Sequence, residues 1–355
     1  MLLGLPLGGV YWAGYPVSRY LEFPPKTTYV SHAPFSWVAF ATYALLIFAC
    51  LAPLIIKACQ PHEEVQRRPA RSFPWWGWLG LVSGAMSWVL AWTRFGWFAA
   101  LQPHTFTPLW LSFILVINAL SHRHHGKCMM LNRPVYFLML FPTSAAFWWF
   151  FEYLNRFVQN WFYTGPEFSS WEYFWYATLP FSTVLPAVLG IRDLILATDS
   201  LRKRFENFSA YRIAHPKILA ALTLVSSASG LAGIGIWPNV LFPLLWVSPL
   251  LIILSLQTLM GEHHVLSELA AGDWSALVAA ASAAIICGVF WEMWNYYSLA
   301  KWKYSIPFVH RYLIFEMPLL GYAGYLPFGL ECAVIGSMLD RVIPERRQSG
   351  TRHML

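Results

Sequence analysis

The sequence predicts an all-α, polytopic membrane bundle of about nine transmembrane helices. Of its 355 residues, 57% are hydrophobic and only 12% are charged, whereas about a quarter of the residues in soluble domains are charged. Several apolar runs reach the roughly 20 residues that a helix needs to cross a hydrocarbon core. A membrane β-barrel would show short segments of alternating polarity instead, so the spans are predicted to be helical.

The predicted elements follow from the apolar runs taken in chain order. The first run is interrupted by Pro6, Pro16, Pro24 and Pro25, which predicts an interfacial or re-entrant segment at the outer face. The predicted spans are 36–56, 75–101, 107–121, 135–155, 172–197, 217–237, 239–260, 274–298 and 312–338. Residues 1–106 therefore form an outer segment with two helices, 198–238 a cytoplasmic loop with a linking helix, and 341–355 a basic tail.

Basic residues are concentrated in every second connection and in the tail. These residues are Lys57, Arg67, Arg68 and Arg71; Arg123, Lys127 and Arg133; Arg202, Lys203, Arg204, Arg212 and Lys217; and Arg341, Arg346, Arg347 and Arg352. Because Lys and Arg accumulate in cytoplasmic loops, the N-terminus is predicted outside and the C-terminus in the cytoplasm. This asymmetry accounts for the formal net charge of +7, and no nucleic-acid partner is expected.

An internal repeat is visible in two aromatic stretches, "FFEYLNRFVQNWFY" at 150–163 and "FWEMWNYYSLAKWKY" at 290–304. Further along, Leu179-Pro180-Phe181 aligns with Leu326-Pro327-Phe328, and a histidine pair precedes each stretch at similar spacing. The repeat predicts two parallel three-helix units, 107–197 and 239–340, with a site shared between them. The aligned pairs are Glu152 with Glu292, Asn155 with Asn295, Trp161 with Trp302, Tyr163 with Tyr304, and Glu172 with Glu316.

The repeated acids and amides form the candidate site. In each unit the first Glu and the Asn stand one helical turn apart and share a helix face. An ionisable group in the hydrocarbon costs several kcal/mol unless it is paired or hydrated, so Glu152, Glu292, Glu316 and the deeper Glu331 are predicted to face the bundle interior. Two interpretations stay open: carboxyl groups that act as acid and base, or carboxyl groups that tie helices together by accepting hydrogen bonds.

Aromatic, histidine and cysteine residues leave further alternatives. The tryptophans around these acids predict either an interfacial belt or a pocket for an apolar polyene or a cation. The segments "SHRHHGKC" at 121–128 and "GEHH" at 261–264 favour interfacial histidines over metal ligands, because adjacent histidines do not share a helix face. A haem between spans would have no dedicated spacing. The five cysteines show no paired spacing, so free thiols and no metal site are expected.

Both copies resemble the lycopene-cyclase-type membrane domain of the heterodimeric carotenoid cyclases. The similar segments are "WEMWNYYSLAKWKY" with "LLGYAGYLPFGLE", and "FEYLNRFVQNWFY" with "ATLPF". The resemblance implies redox-neutral proton chemistry on an isoprenoid, without an external cofactor. It implies Glu331 or Glu316 as the acid, Glu292 as the base and Asn295 as the residue that orients it, with Glu152, Asn155 and Glu172 as first-copy counterparts and Trp161, Tyr163, Trp291, Trp294, Trp302 and Tyr304 lining the pocket.

The predicted function is therefore that of an integral membrane protein that binds, and cyclises or isomerises, an apolar isoprenoid or lipid. The alternative is a non-catalytic membrane subunit or transporter with a polar or proton site between the repeats. The expected partners are a membrane lipid or isoprenoid ligand and either another protein or a second copy of the chain.

Overall fold

Helices make up most of the chain in the computed structural model, which describes residues 1–24, 27–61 and 71–343. Arg67, Arg68, Arg346, Arg347 and Arg352, with most of the predicted basic tail, lie outside the described residues. The helices are α1 Gly4–Trp12, α2 Ser18–Leu21, α3 Trp37–Cys59, α4 Trp75–Trp92, α5 Phe106–His125, α6 Met129–Asn132, α7 Pro134–Val158, α8 Ser170–Phe181, α9 Val184–Ala197, α10 Asp199–Phe205, α11 Pro216–Gly233, α12 Pro238–Leu241, α13 Leu244–Met260, α14 Ser275–Tyr296 and α15 Tyr325–Val342. Four short strands are β1 Trp161–Thr164, β2 Lys301–Tyr304, β3 Leu313–Ile314 and β4 Met317–Pro318.

Within the described ranges, seven helical segments are long and apolar enough to cross a membrane. They are Trp37–Cys59, Gln102–His125, Pro134–Val158, Ser170–Ala197, Pro216–Gly233, Ser275–Tyr296 and Leu319–Val342, and each overlaps one predicted span. The two other predicted spans coincide with the tryptophan-rich α4 and with α13, which is 17 residues long. The prediction of an all-α, multi-pass membrane bundle is confirmed.

Local sequence explains where the membrane helices begin and end. The Ser36 hydroxyl accepts a hydrogen bond from the Ala39 amide (3.3 Å) and caps the start of α3. Gly126, with φ of 71°, ends α5 in the left-handed conformation that glycine adopts without strain. Pro180 lies in the last turn of α8, and the segment restarts as α9 at Val184. The predicted fifth span is therefore a broken helix.

The basic connections come together at one end of the bundle. The Arg71 amide donates to the Arg123 carbonyl (2.9 Å), which joins the connection after α3 to the last turn of α5. Three side-chain contacts also lie at this end. Arg204 donates to the Gln60 carbonyl (2.8 Å), Arg133 forms an ion pair with Asp340, and Arg341 forms an ion pair with Glu262. The predicted clustering of these loops on one face is consistent with these contacts.

The buried core lies between α5, α7, α9, α13, α14 and α15, and aromatic rings fill the part of it that lies next to β1 and β2. Phe328 and Phe151 are fully buried there, with ring centroids 5.6 Å apart, and Trp246 stacks on Phe151 at 5.0 Å. Helix α3 is different, because none of its described residues is buried. It forms an outer wall of the bundle, and its surface is suited to contact with lipid.

Candidate functional site

The two repeated aromatic segments meet in an antiparallel pair of strands at the end of the bundle opposite the basic connections. β1 follows α7, and β2 follows α14. Their register places Trp161 opposite Tyr304 and Tyr163 opposite Trp302. Each copy's tryptophan therefore lies beside the other copy's tyrosine, and the pairing brings the residues aligned in the sequence to one place.

The repeated asparagines hold these strands by their backbones. The Asn155 amide nitrogen donates to the Trp161 carbonyl (2.8 Å), and its oxygen accepts from the Asn160 amide (2.8 Å). Asn295 makes the matching pair of bonds to the carbonyl (2.8 Å) and the amide (2.9 Å) of Trp302. Both side chains are buried. Their amides therefore position the strand that carries the aromatic residues.

Glu152 accepts hydrogen bonds from three ring donors through one carboxyl oxygen. Its Oε1 accepts from the Tyr163 hydroxyl (2.5 Å), Trp161 Nε1 (3.0 Å) and Trp148 Nε1 (3.1 Å). The residue is fully buried, and its Oε2 has no hydrogen-bond partner among the described residues.

Glu292 has the same arrangement with different donors. Its Oε1 accepts from the hydroxyls of Tyr304 (2.6 Å) and Tyr325 (2.9 Å), while Trp302 Nε1 donates to the Tyr304 hydroxyl (2.8 Å). Its Oε2 likewise has no partner in the described part of the chain. The predicted burial of Glu152, Glu292 and Glu331 is confirmed, with at most 2% of each residue exposed.

The two tyrosines of the strands remain neutral donors. Burial, reinforced by the Glu152 carboxyl group, raises the pKa of Tyr163 well above its ordinary value. Burial and Glu292 raise the pKa of Tyr304 in the same way. Each hydroxyl therefore keeps its proton at any ordinary pH and shares it with a buried carboxyl group.

A large cavity of about 970 Å³ lies against both Glu–Tyr pairs. Its wall includes Trp148, Trp161, Tyr163, Trp302, Tyr304 and Tyr325, which are the donors to the two glutamates or their hydrogen-bonded neighbours. Neither Glu152 nor Glu292 is part of the lining, so the carboxyl groups lie behind an aromatic wall. The groups that a ligand would meet are the tyrosine hydroxyls, the indole rings and, among charged residues, Glu167 and Lys301.

The remaining predicted acids lie elsewhere. Glu172 is exposed and forms a capping box with Ser169 at the start of α8. Glu316, which was also predicted to face the bundle interior, is only half-buried and forms an ion pair with Lys301. The buried carboxyl group of Glu331 faces the backbone of Leu250, forms no hydrogen bond of standard geometry with the described chain and does not line the cavity.

The predicted aromatic residues divide between the cavity and another cluster. Trp161, Tyr163, Trp302, Tyr304 and Trp291 line the cavity. Trp294 does not line it; the indole packs against Trp110 with ring centroids 5.2 Å apart. The exposed Trp171 and Trp175 fit the interfacial belt.

Sequence reasoning missed two donors to the glutamates. Trp148 stands four residues before Glu152 on the same helix, a spacing that could have identified it. Tyr325 offered no such signal, because the repeat aligns it with Thr178, which lacks a ring.

The histidines and cysteines show simple contacts. His264 Nε2 lies 2.9 Å from the Thr258 hydroxyl and His263 Nε2 lies 2.8 Å from Glu268 Oε1. Burial lowers the pKa of His264. The five cysteines, all within the described ranges, are free thiols. Across residues 1–24, 27–61 and 71–343, no group of three His, Cys, Asp or Glu side chains could hold a metal ion.

Comparison of the chain with protein-family models, with curated proteins and with solved structures finds no match.

Proposed function

We propose that this membrane protein binds an apolar, unsaturated isoprenoid or lipid in the aromatic cavity and isomerises or cyclises it by proton transfer. The observation that carries the proposal is the placement of two tyrosine hydroxyls, Tyr163 and Tyr304, on the wall of one cavity, each bonded to a buried glutamate behind it. A concave, mostly apolar space with a few convergent polar groups is the usual form of a small-molecule site.

The cavity wall favours an apolar ligand that arrives from the bilayer. Helix α3 contributes Tyr43, Leu46, Ile47, Cys50 and Leu51 to the lining, and the helix buries none of its residues. A single, weakly packed helix therefore separates this part of the cavity from the membrane. A lipid-soluble molecule would reach the cavity from that side without passing through water.

The proposed chemistry is redox-neutral. One Glu–Tyr pair gives a proton to a carbon of a ligand double bond, which forms a C–H bond and leaves a carbocation. The indole faces around it stabilise the positive charge. Loss of a proton from a neighbouring carbon to the second pair forms a new double bond, so the product is an isomer of the substrate. Each turnover therefore moves one proton from the first carboxyl group to the second, and the two pairs exchange the roles of acid and base in the next turnover.

The proposal includes two equivalent units, 107–197 and 239–340. The crosswise register of β1 with β2, and the matching bonds of Asn155 and Asn295, support a two-fold relation between them. The resemblance to the lycopene-cyclase-type domain supports acid chemistry on an isoprenoid.

The test is extraction and mass spectrometry of the apolar molecules that co-purify with the protein in mild detergent. Tyr304→Phe keeps the ring and removes the hydroxyl, and Glu292→Gln removes the acid behind it. Glu331→Gln is the matched control, because Glu331 is a buried acid that, unlike Glu292, forms no hydrogen bond with a residue of the cavity wall.

A polyene or prenyl lipid bound by the wild type, and altered in amount or structure by the first two variants only, is the expected result. Ordinary phospholipid alone, unchanged in all three variants, would contradict the proposal. The carboxyl groups would then serve to tie helices together, and the alternative of a non-catalytic subunit or transporter would take its place.

A further inference from the structure

Arg156 is a buried cation that the proposed site does not use. It lies in the last turn of α7, beside Asn155, and only 6% of the residue is exposed. Its Nε and Nη2 atoms have no hydrogen-bond partner in the described chain, and no carboxylate among the described residues forms an ion pair with it. A guanidinium group keeps its charge at any ordinary pH, so burial without a hydrogen-bonded counterion is costly.

A second, smaller cavity of about 180 Å³ lies at this side chain. The N-terminal segment covers it: the Tyr153 hydroxyl donates to the Leu3 carbonyl (2.5 Å), and Tyr20 stacks on Phe157 with centroids 4.4 Å apart. The lining includes Arg156 together with Leu21, Glu22, Phe23 and Trp149. It is separate from the aromatic cavity, which none of these residues lines.

We infer that Arg156 binds the phosphate oxygens of a ligand in this small cavity. The planar fork of the guanidinium matches the two oxygens of a phosphate group. The cavity lies at the end of the bundle opposite the basic loops, where a membrane interface is expected. Beside it, Leu21 and Phe23 are 61% and 67% exposed, as suits side chains in contact with acyl chains. These two observations favour the phosphate of a phospholipid over free phosphate.

Glu22 is the competing acid. It lines the same cavity without pairing with Arg156. A bound phosphate would be repelled by this carboxylate, so Glu22 weakens the site and does not complete it. This inference does not depend on the proposed function.

The test measures lipid retention by native mass spectrometry of the full-length, delipidated protein. Dioleoyl phosphatidylglycerol is compared with dioleoyl glycerol, which has the same chains and no phosphate. Inorganic phosphate is added in a third arm as a competitor. We expect the wild type to retain the phospholipid about tenfold more strongly than the diacylglycerol, as a charge-assisted hydrogen bond allows.

The variants locate the contact. Arg156→Gln should lose this preference, and Arg156→Lys, which keeps the charge, should weaken it several-fold because lysine lacks the fork. Arg19→Gln is the matched control: it removes a cation of the N-terminal segment, next to Tyr20 of the lining, and Arg19 itself does not line the cavity. Glu22→Gln should strengthen retention.

Equal retention of the phospholipid by Arg156→Gln, Arg156→Lys and Arg19→Gln would overturn the inference. Loss of retention in Glu22→Gln would also overturn it, because Glu22 would then be a required part of the site. Inorganic phosphate that displaces the phospholipid from the wild type and from Arg19→Gln, but not from Arg156→Lys, would support the phosphate site. It would also show that the site binds the free ion.

Discussion

Among single residues, Glu152 and Glu292 use their two carboxyl oxygens unequally in hydrogen bonding. Oε1 of Glu152 and of Glu292 accepts every hydrogen bond, and Oε2 of each has no partner in the described chain. A carboxyl group whose only role is to tie helices would be expected to use both oxygens, since buried polar atoms are normally satisfied. In the proposed function, this second oxygen is the atom that would carry the proton of each carboxyl group.

Asn155 and Asn295 differ from the glutamates, because both the nitrogen and the oxygen of each side-chain amide form hydrogen bonds with the backbone at a strand. Asn155→Ala would leave the Trp161 carbonyl and the Asn160 amide without partners in a buried site. We expect a loss of about 2 kcal/mol or more in the free energy of unfolding. Equilibrium unfolding in mixed micelles measures it, with the exposed Asn207→Ala as control. Equal stability of the two variants would show that the strand does not need the amide.

The tyrosines of the strands give a prediction in pH. The pKa values of both hydroxyls are raised in the folded protein. The neutral hydroxyls therefore contribute fully to stability below the pKa of about 10 that tyrosine has in the unfolded chain. This contribution is lost only as the pH rises through the pKa values of the folded protein. In the folded state, the double variant Tyr163→Phe, Tyr304→Phe should therefore show the same change in tyrosine ultraviolet absorbance near pH 10 as the wild type.

The denatured protein is the control for that titration. There the same double variant should lose the amplitude of two tyrosines, because both hydroxyls are then exposed to solvent. A fall in amplitude in the folded state would show that the hydroxyls ionise normally and are not held by the glutamates.

At the scale of elements, close helix packing positions the donors. Gly329 of α15 lies against α14, where a Cβ atom would overlap the Ala280 carbonyl oxygen and lie 2.9 Å from the Ala284 side chain. Small residues allow this approach between membrane helices. One turn earlier on α15 stands Tyr325, the donor to Glu292. The glycine therefore fixes the distance between the two.

Gly329→Ala should destabilise the protein by about 1–3 kcal/mol, because overpacking forces the two helices apart. Gly8→Ala in α1 is the matched control, since a Cβ there meets nothing within 4 Å. Mixed-micelle unfolding of both variants measures the difference. Equal stability of the two would mean that α14 and α15 separate without cost.

In the whole molecule, the basic connections lie at one end of the bundle and the strands β1 and β2 lie at the other. Cys59 ends α3 at the basic end and is exposed, whereas Cys128, Cys287 and Cys332 are buried. Trp12 is 92% exposed on α1, which packs against α11. The predicted orientation, with the N-terminus outside, therefore has a direct test.

In a Cys50→Ser background, a membrane-impermeant maleimide should label Cys59 only after permeabilisation of the cells. Trp12→Cys, made together with Cys50→Ser and Cys59→Ser, should be labelled in intact cells, because it lies at the predicted outer end. The reverse pattern would mean that the positive-inside prediction is wrong for this chain.

The amino-acid sequence was enough to identify the class of protein, the approximate positions of the seven helices in the described ranges that are long and apolar enough to cross a membrane, and the residues aligned between the two aromatic stretches. These follow from properties that act locally: the length of an apolar run, the ends set by Ser36 and Gly126, and the spacing of Glu and Asn along one helix. The same reasoning indicated that Glu152, Glu292 and Glu331 would be buried, because the hydrocarbon excludes unpaired charge.

Which groups line the cavity depends on the packing of distant helices and became evident from the structure alone. The tyrosines line it and the glutamates lie behind them, Trp294 packs elsewhere, and Glu172 caps a helix. Sequence spacing defines a helix face, but the direction of that face depends on how distant helices pack. For the same reason, the unpaired Arg156 became evident only when the N-terminal segment was seen to cover it.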